Sequence, residues 1–517
     1  MRHVHAFGDD ALGDLDAVGV ADALRSGRVG SAEVVEAAIA RACSKAAYAN
    51  PFSSGSTASV RAVAADPASG YFGGVPTCIK DNVDVAGQPS MHGTDAWTSR
   101  NATADSVFTQ LFLATGLISV GKTQLSEFGF SAAAEHPRLG PVRNPWDTDY
   151  TAGASSSGSG AFVAAGVVPM AHANDGGGSI RIPAACNGLV GLKPSRGRLP
   201  LDATLRRMPV GVVVNGVVTR SVRDTAAFYR EAERIWRNPK LAPVGDVTAP
   251  GRQRLRIAVL TRSVQRECSP QVRELTLKSA GLLEELGHRV EHVDEPPVAA
   301  SFADDFVMYW GFLALAQVSA GRHLFGETFD RSKLDTLTLG LLHHTSRNAH
   351  RLPAAIVRLR RARRRTAQFF RTYDAVLTPT VADETPRVGF LAPTDYQQVI
   401  SRLIDWVSFT PLHNVTGEPA ISLPLAQSAH GMPVGMMLSA DIGQESLLLE
   451  LAYELEEARP SSVSSGRALP ANLTGQGRAL LKRAEGAVRG ADARILARLT
   501  DTQQREFKRM LEKLGSE

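Results

Sequence analysis

A chain of 517 residues, 44% hydrophobic and 21% charged, is long enough to bury a large core and to carry a small appendage beside one big α/β domain. Its formal charge of +5 is mild for this length and marks no nucleic-acid or membrane partner, and no stretch is long and apolar enough to cross a bilayer. The four cysteines (Cys43, Cys78, Cys186 and Cys268) lie far apart with no CxxC pair, which argues against a disulfide framework or a zinc site; with acids interrupting the first twenty residues where a signal peptide needs an apolar run, a cytoplasmic location is expected.

Taken in chain order, residues 14–43 read as two amphipathic helices, the second with Ser31 as N-cap ahead of Glu33. Residues 49–58 are a loop by composition. VFTQLFLATG followed by LISVGKT reads as helix, glycine stop and buried strand, and this alternation points to an α/β layer architecture. Residues 150–200 hold two glycine-rich loops around the apolar segment AFVAAGVVPMA. RLRIAVL and HRVEHVD read as strands flanking a crossover helix, and residues 302–372 as helices ending in a basic, solvated face with Arg358, Arg360, Arg361, Arg363, Arg364 and Arg365. YDAVLTPT, PAISLPLA and PVGMMLSA are strands, and ESLLLELAYELEEA is a helix. The body is expected over residues 1–460, a linker of small and polar residues over 461–476, and a short helical extension over 477–517, with a capping box at Thr500 and Gln503.

Three features carry chemistry. Lys80 in GGVPTCIKDNVDV sits between apolar residues and a turn; partial desolvation there favours a neutral amine usable as a base, although a lysine at a strand end is more ordinarily exposed. Ser155, Ser156 and Ser157 lie in GASSSGSG, which alone reads as a flexible linker but runs directly into a segment that must be buried. In Asn174-Asp175-Gly176-Gly177-Gly178-Ser179-Ile180-Arg181, consecutive glycines let backbone N–H groups converge into a cradle for negative charge, and a serine at its end can attack a carbonyl whose oxygen lands there. A tight turn or phosphate nest is the plainer alternative, but both the GxxxxGK[ST] and GxGxxG patterns are absent from this loop.

In this order the blocks GVPTCIKDN, KTQLSEFGFS, GPVRNPWD, GASSSGSG, DGGGSIRIPAA, GLVGLKPSRGR, YDAVLTPT, NVTGEPAISLP and GMPVGMMLSA resemble the amidase-signature enzymes from about residue 14 to 458. The resemblance implies a large mixed β-sheet covered by helices on both faces. It implies Ser179 as acyl-forming nucleophile, Ser155 as a proton-relaying serine held by a cis peptide bond, and Lys80 as base. Gly176, Gly177, Gly178 and Ser179 would supply oxyanion-hole N–H groups, with Ser156, Asp175 and Arg181 in support. No metal or cofactor is required, and the partner is a small-molecule amide; a homodimer is compatible. Ala154 stands where the serine loop ordinarily has a second glycine, and DGGGSIRIPA is similar to the variant in enzymes of the 6-aminohexanoate cyclic-dimer hydrolase type. Ile182 replaces the glutamine usual in the A subunit of glutamyl-tRNA(Gln) amidotransferase, which favours a stand-alone hydrolase.

Two departures stand out. Residues 44–68 follow the family pattern poorly, and LTGQGRALLKRAEGAV with LTDTQQREFKRMLEKL resembles the dimerisation part of winged-helix repressors without their DNA-reading helices. A binding or regulatory protein on an amidase body is therefore the competing expectation. Phe302, Phe306, Tyr309, Trp310 and Phe312 would either line an apolar acyl pocket or pack as ordinary core.

Overall fold

The computed structural model describes residues 3–49, 52–54, 57–392 and 394–460, with side chains described over 3–43, 60–392 and 394–460. The chain divides into one unit over residues 1–467 and another over 468–517. The expected linker at 461–476, the extension at 477–517 and the capping box at Thr500 and Gln503 lie outside the described residues.

The strands are β1 (Phe52–Ser54), β2 (Pro76–Lys80), β3 (Ile118–Thr123), β4 (Glu135–His136), β5 (Gly140–Pro141), β6 (Met170–Asp175), β7 (Val190–Lys193), β8 (Val214–Thr219), β9 (Arg256–Val259), β10 (Arg289–His292), β11 (Ala375–Pro379), β12 (Ala420–Gln427) and β13 (Pro433–Ser439). Eight of them form one sheet in the order β10-β9-β11-β13-β12-β7-β8-β6. Pairing is parallel from β10 through β9 to β11 and antiparallel from there to β6, so the sheet is mixed, as expected. The parallel part contains the strand–helix–strand crossover read from RLRIAVL and HRVEHVD, with helix Pro270–Glu285 between β9 and β10. Strands β6, β8, β11 and β13 are buried at every position; β11 and β13 are accordingly near-continuous apolar runs, whereas the polar residues of β6 (His172, Asn174 and Asp175) belong to the site described below. Helices Arg181–Asn187, Val222–Ile235, Pro270–Glu285 and Glu445–Ala458 pack against this sheet or its neighbours.

A smaller sheet, β1-β3-β2, stands beside edge strand β6. No ladder joins β2 to β6; instead Thr77 Oγ1 donates to the Met170 carbonyl at 2.9 Å and the Lys80 N–H donates to His172 Nδ1 at 3.2 Å. Those bonds fix the end of β2, and with it Lys80, over the end of β6.

Helix starts are held by side-chain caps. Ser106, Ser221, Asp335 and Asp395 each accept the N–H three residues on. Ser31 is not such a cap: it is the first residue of helix Ser31–Ala49, and Glu33 reaches back instead to accept the Gly30 N–H at 2.6 Å. The expected loop at 49–58 contains β1, which pairs antiparallel with β3. All four cysteines are unpaired. The basic helix Leu352–Phe369 is not simply solvated. Arg358 grips Asp305 with two bonds, Arg363 reaches Asp441 at 2.6 Å and Glu418 at 3.5 Å, and Arg360 donates to the Pro209 carbonyl, so half of its arginines tie it to the body.

Candidate active site

Lys80 ends β2 and is completely buried. Its Nζ lies 2.7 Å from Ser155 Oγ, 2.6 Å from Asn174 Oδ1 and 3.5 Å from the Asn174 carbonyl oxygen. Burial pushes its pKa down from an ordinary 10.5 to about 7, against an opposing pull from Asp175. His172 beneath it is no rival base. Burial first, and the charge of Lys80 second, push its pKa down to about 3. Its Nδ1 accepts from the Lys80 backbone, which leaves Nε2 as the donor toward Asn215 Oδ1 at 3.3 Å.

The serine run is buried structure, not linker. The Ala154–Ser155 peptide is cis, and helix Ser157–Ala164 begins inside the run. Ser156 Oγ donates to the Asn174 carbonyl at 3.3 Å and Ser157 Oγ to the Gly153 carbonyl at 2.5 Å. Gly129 closes over the site so tightly that a Cβ there would meet Ser155 Oγ at 3.2 Å.

The glycine loop joins the end of β6 to helix Arg181–Asn187 and is braced by an ion pair with no solvent exposure on either side chain. Asp175 accepts from Arg181 Nε and Nη2, both at 3.0 Å, and from the N–H groups of Gly178 at 2.7 Å and Ile180 at 3.1 Å. Burial would raise the Asp175 pKa, but Arg181 overcomes it and holds the carboxyl well below its usual range. From more than two hundred residues away, Asn414 donates to Asp175 Oδ1 at 2.8 Å and accepts from Arg181 at 2.7 Å, while Thr410 Oγ1 donates to the Gly177 carbonyl at 2.6 Å.

One expected oxyanion donor is thereby removed. The Gly178 N–H is bonded to Asp175, whereas those of Gly176, Gly177 and Ser179 have no acceptor among the described residues. Gly178 is instead needed for its backbone: φ is +139°, and an added Cβ would lie 2.4 Å from Thr410 Oγ1 and 2.6 Å from Ile182 Cδ1. Gly178→Ala is expected to lower stability by about 1–3 kcal/mol, measured as a fall in the denaturant midpoint at unchanged slope.

Ser179 lies at the floor of a cavity of about 110 Å³ whose walls include Phe130, Ile182, Phe302, Phe306, Trp310 and Ile404. No hydrogen bond to another described residue engages its hydroxyl, and none joins it to Ser155, so Lys80 and Ser155 are in contact while Ser179 faces the cavity. Of the aromatic cluster read from the sequence, Phe302, Phe306 and Trp310 line this cavity. Tyr309 is buried core with its hydroxyl on Val210, and Phe312 packs with the core around it. Sequence reasoning gave no role to Asn82, Asn174, Thr410 or Asn414. Asn82, Asn174 and Asn414 stand inside the motifs GVPTCIKDN, NDGGGSIR and NVTGEPA, which is the signal that was there to use.

Over residues 33–449 the chain matches the family model described as Amidase. It belongs to the amidase family. The protein named "Putative amidase AmiC" from Mycobacterium leprae is 75% identical over 464 residues, covering 89% of this amidase and 98% of that chain. A solved structure of 6-aminohexanoate cyclic dimer hydrolase with substrate superposes with a TM-score of 0.79 at 29% identity, covering 86% of this chain and 97% of that one. A bacterial aryl acylamidase of the amidase-signature family gives 0.78 at 26% identity, covering 88% and 99%. The mixed α/β fold is that of amidase-signature structures, and this amidase is a hydrolase of the same family. No helix of the described residues is long and apolar enough to cross a membrane.

Proposed function

We propose that the chain hydrolyses carboxylic acid amides through an acyl-enzyme on Ser179, with Ser155 and Lys80 as its proton relay. The observation that carries this reading is the buried Lys80 amine, 2.7 Å from Ser155 Oγ and titrating near 7, beside a loop that presents Ser179 to a cavity. A base must be partly unprotonated at working pH, and burial supplies that condition here.

In the first half-reaction Ser179 Oγ bonds to the amide carbon as its proton passes to Ser155 Oγ, whose own proton goes to Lys80 Nζ. The carbonyl oxygen, now negative, is received by the N–H groups of Gly176, Gly177 and Ser179. The C–N bond then breaks, and the nitrogen leaves with the proton returned from Lys80 through Ser155. In the second half-reaction water gives its hydroxyl to the acyl carbon and a proton to the relay; the bond from that carbon to Ser179 Oγ then breaks, Oγ takes the proton back, and the carboxylic acid leaves. Closing the gap between Ser179 and Ser155 requires the serine hydroxyl to turn toward the relay once substrate fills the cavity, a tightening ordinary for unliganded sites. Ile182 in place of glutamine supports a stand-alone hydrolase over an amidotransferase subunit.

A fluorophosphonate reports on the nucleophile directly. The full-length protein is expected to take up one phosphonyl group, and peptide mass mapping should place it on Ser179. No adduct, or an adduct on another residue, would reject the assignment and favour a binding protein on an amidase body.

A further inference from the structure

We infer that the amide this enzyme accepts carries a flat, uncharged, apolar acyl group of about one ring, and that Phe306 and Trp310 select it. The inference rests on the reading of Ser179 as nucleophile.

Among the described residues, no acidic, basic or histidine side chain lines the cavity. The polar groups in its walls are already engaged within the protein. Trp310 Nε1 donates to the Phe130 carbonyl at 3.1 Å. Ser408 Oγ donates to the carbonyls of Ile404 at 2.9 Å and Asp405 at 2.8 Å, and Ser131 Oγ accepts the Ala133 N–H at 3.2 Å. Polar groups without a partner among the described residues remain at Ser179 and its glycine loop, at the exposed Gln265, and in the hydroxyl hydrogen of Ser131. A charged acyl group would therefore be desolvated against walls that offer no opposite charge, which is costly enough to reject it.

Shape follows from the rings. Phe306 and Trp310 stack with centroids 5.3 Å apart and planes 21° apart, Phe302 continues the stack at 6.4 Å and 18°, and Phe130 meets Trp310 edge-on at 5.5 Å and 83°. This row rests directly on the glycine loop. A Cβ added to Gly176 would meet Trp310 Cη2 at 3.0 Å, and one added to Gly177 would meet Phe306 Cζ at 3.3 Å. The acyl atoms next to the scissile carbonyl thus lie against aromatic rings, a surface that favours a planar partner through offset or edge-on contact. Size follows from volume. A cavity of about 110 Å³ is of the order of one of roughly 150 Å³ that holds benzene, so the part next to the scissile carbonyl fits about one ring.

The test compares kcat/KM of the full-length enzyme for benzamide, cyclohexanecarboxamide and 4-carboxybenzamide: a planar ring, a puckered ring and a charged planar ring. Benzamide is expected to exceed cyclohexanecarboxamide by about 10-fold and 4-carboxybenzamide by roughly 100-fold or more. In Phe306→Leu and Trp310→Leu the benzamide-to-cyclohexanecarboxamide ratio should fall toward one, and Trp310→Phe should keep it. Equal or reversed preference in the unmodified enzyme would overturn the inference, as would an unchanged ratio in both leucine variants or labelling of Ser179 without turnover of any of the three amides. Absence of fluorophosphonate labelling at Ser179 would instead reject the nucleophile assignment beneath it, so the two failures are told apart.

Discussion

Lys80→Ala is expected to lower kcat/KM by roughly 10²- to 10⁴-fold, the range over which a positioned general base acts. The pH profile gives the sharper test. Because burial pushes the amine down to about 7, the unmodified enzyme should lose activity as pH falls through about 7 and reach a plateau above it. In Lys80→Ala that acidic limb should vanish along with most of the rate. Retention of the limb in the variant would assign it to another group; His172, which titrates near 3 and bonds the Lys80 backbone, does not fit such a role. The same shift has a stability sign. The folded-state pKa lies below the unfolded value of 10.5, so between about 7 and 10 the unfolded chain binds more protons, and this site's contribution to stability grows as pH rises.

Arg181→Met is expected to destabilise the protein by about 3–5 kcal/mol, because it leaves Asp175 charged, fully buried and without its partner. A thermal or denaturant melt measures the loss. Since Asp175 also orders the loop through Gly178 and Ile180, surviving folded protein should react slowly with a fluorophosphonate. Asp175→Asn combined with Arg181→Met removes both charges and should recover part of the stability without recovering the labelling rate. If the single variant melts within about 1 kcal/mol of the parent, the ion pair is not the brace described here.

Much of the site was legible because its chemistry lies in contiguous motifs. Gly176 to Ser179 form a local string whose composition makes little sense as core, the serine run at 155–157 was set apart from a linker by the apolar segment that follows it, and β9, β12 and β13 announce themselves as apolar runs. What escaped the sequence depends on contacts that no local pattern encodes. Asn414 and Thr410 reach the glycine loop across more than two hundred residues, and nothing in NVTGEP says which loop they will meet. Phe302, Phe306 and Trp310 share one helix with Tyr309 and Phe312, and helical spacing alone did not separate cavity wall from core. Strand β1 is three residues long, too short for alternation to register, and owes its form to pairing with β3. Arg358 and Arg363 read as solvated because their acidic partners come from other elements.

The two oxygens that Asn174 turns toward Lys80 give the relay a direction. An uncharged amine has two hydrogens and one lone pair, and oxygens at 2.6 and 3.5 Å claim the hydrogens. In the neutral amine of the proposed mechanism the lone pair is left for the remaining neighbour, the hydroxyl of Ser155 at 2.7 Å, so that reading has the amine take a proton from the serine rather than give one. The Asn174 amide is in turn paired with that of Asn82 at 2.9 and 3.3 Å. On the proposed mechanism, an asparagine two residues beyond the base thus reaches the proton path only through Asn174.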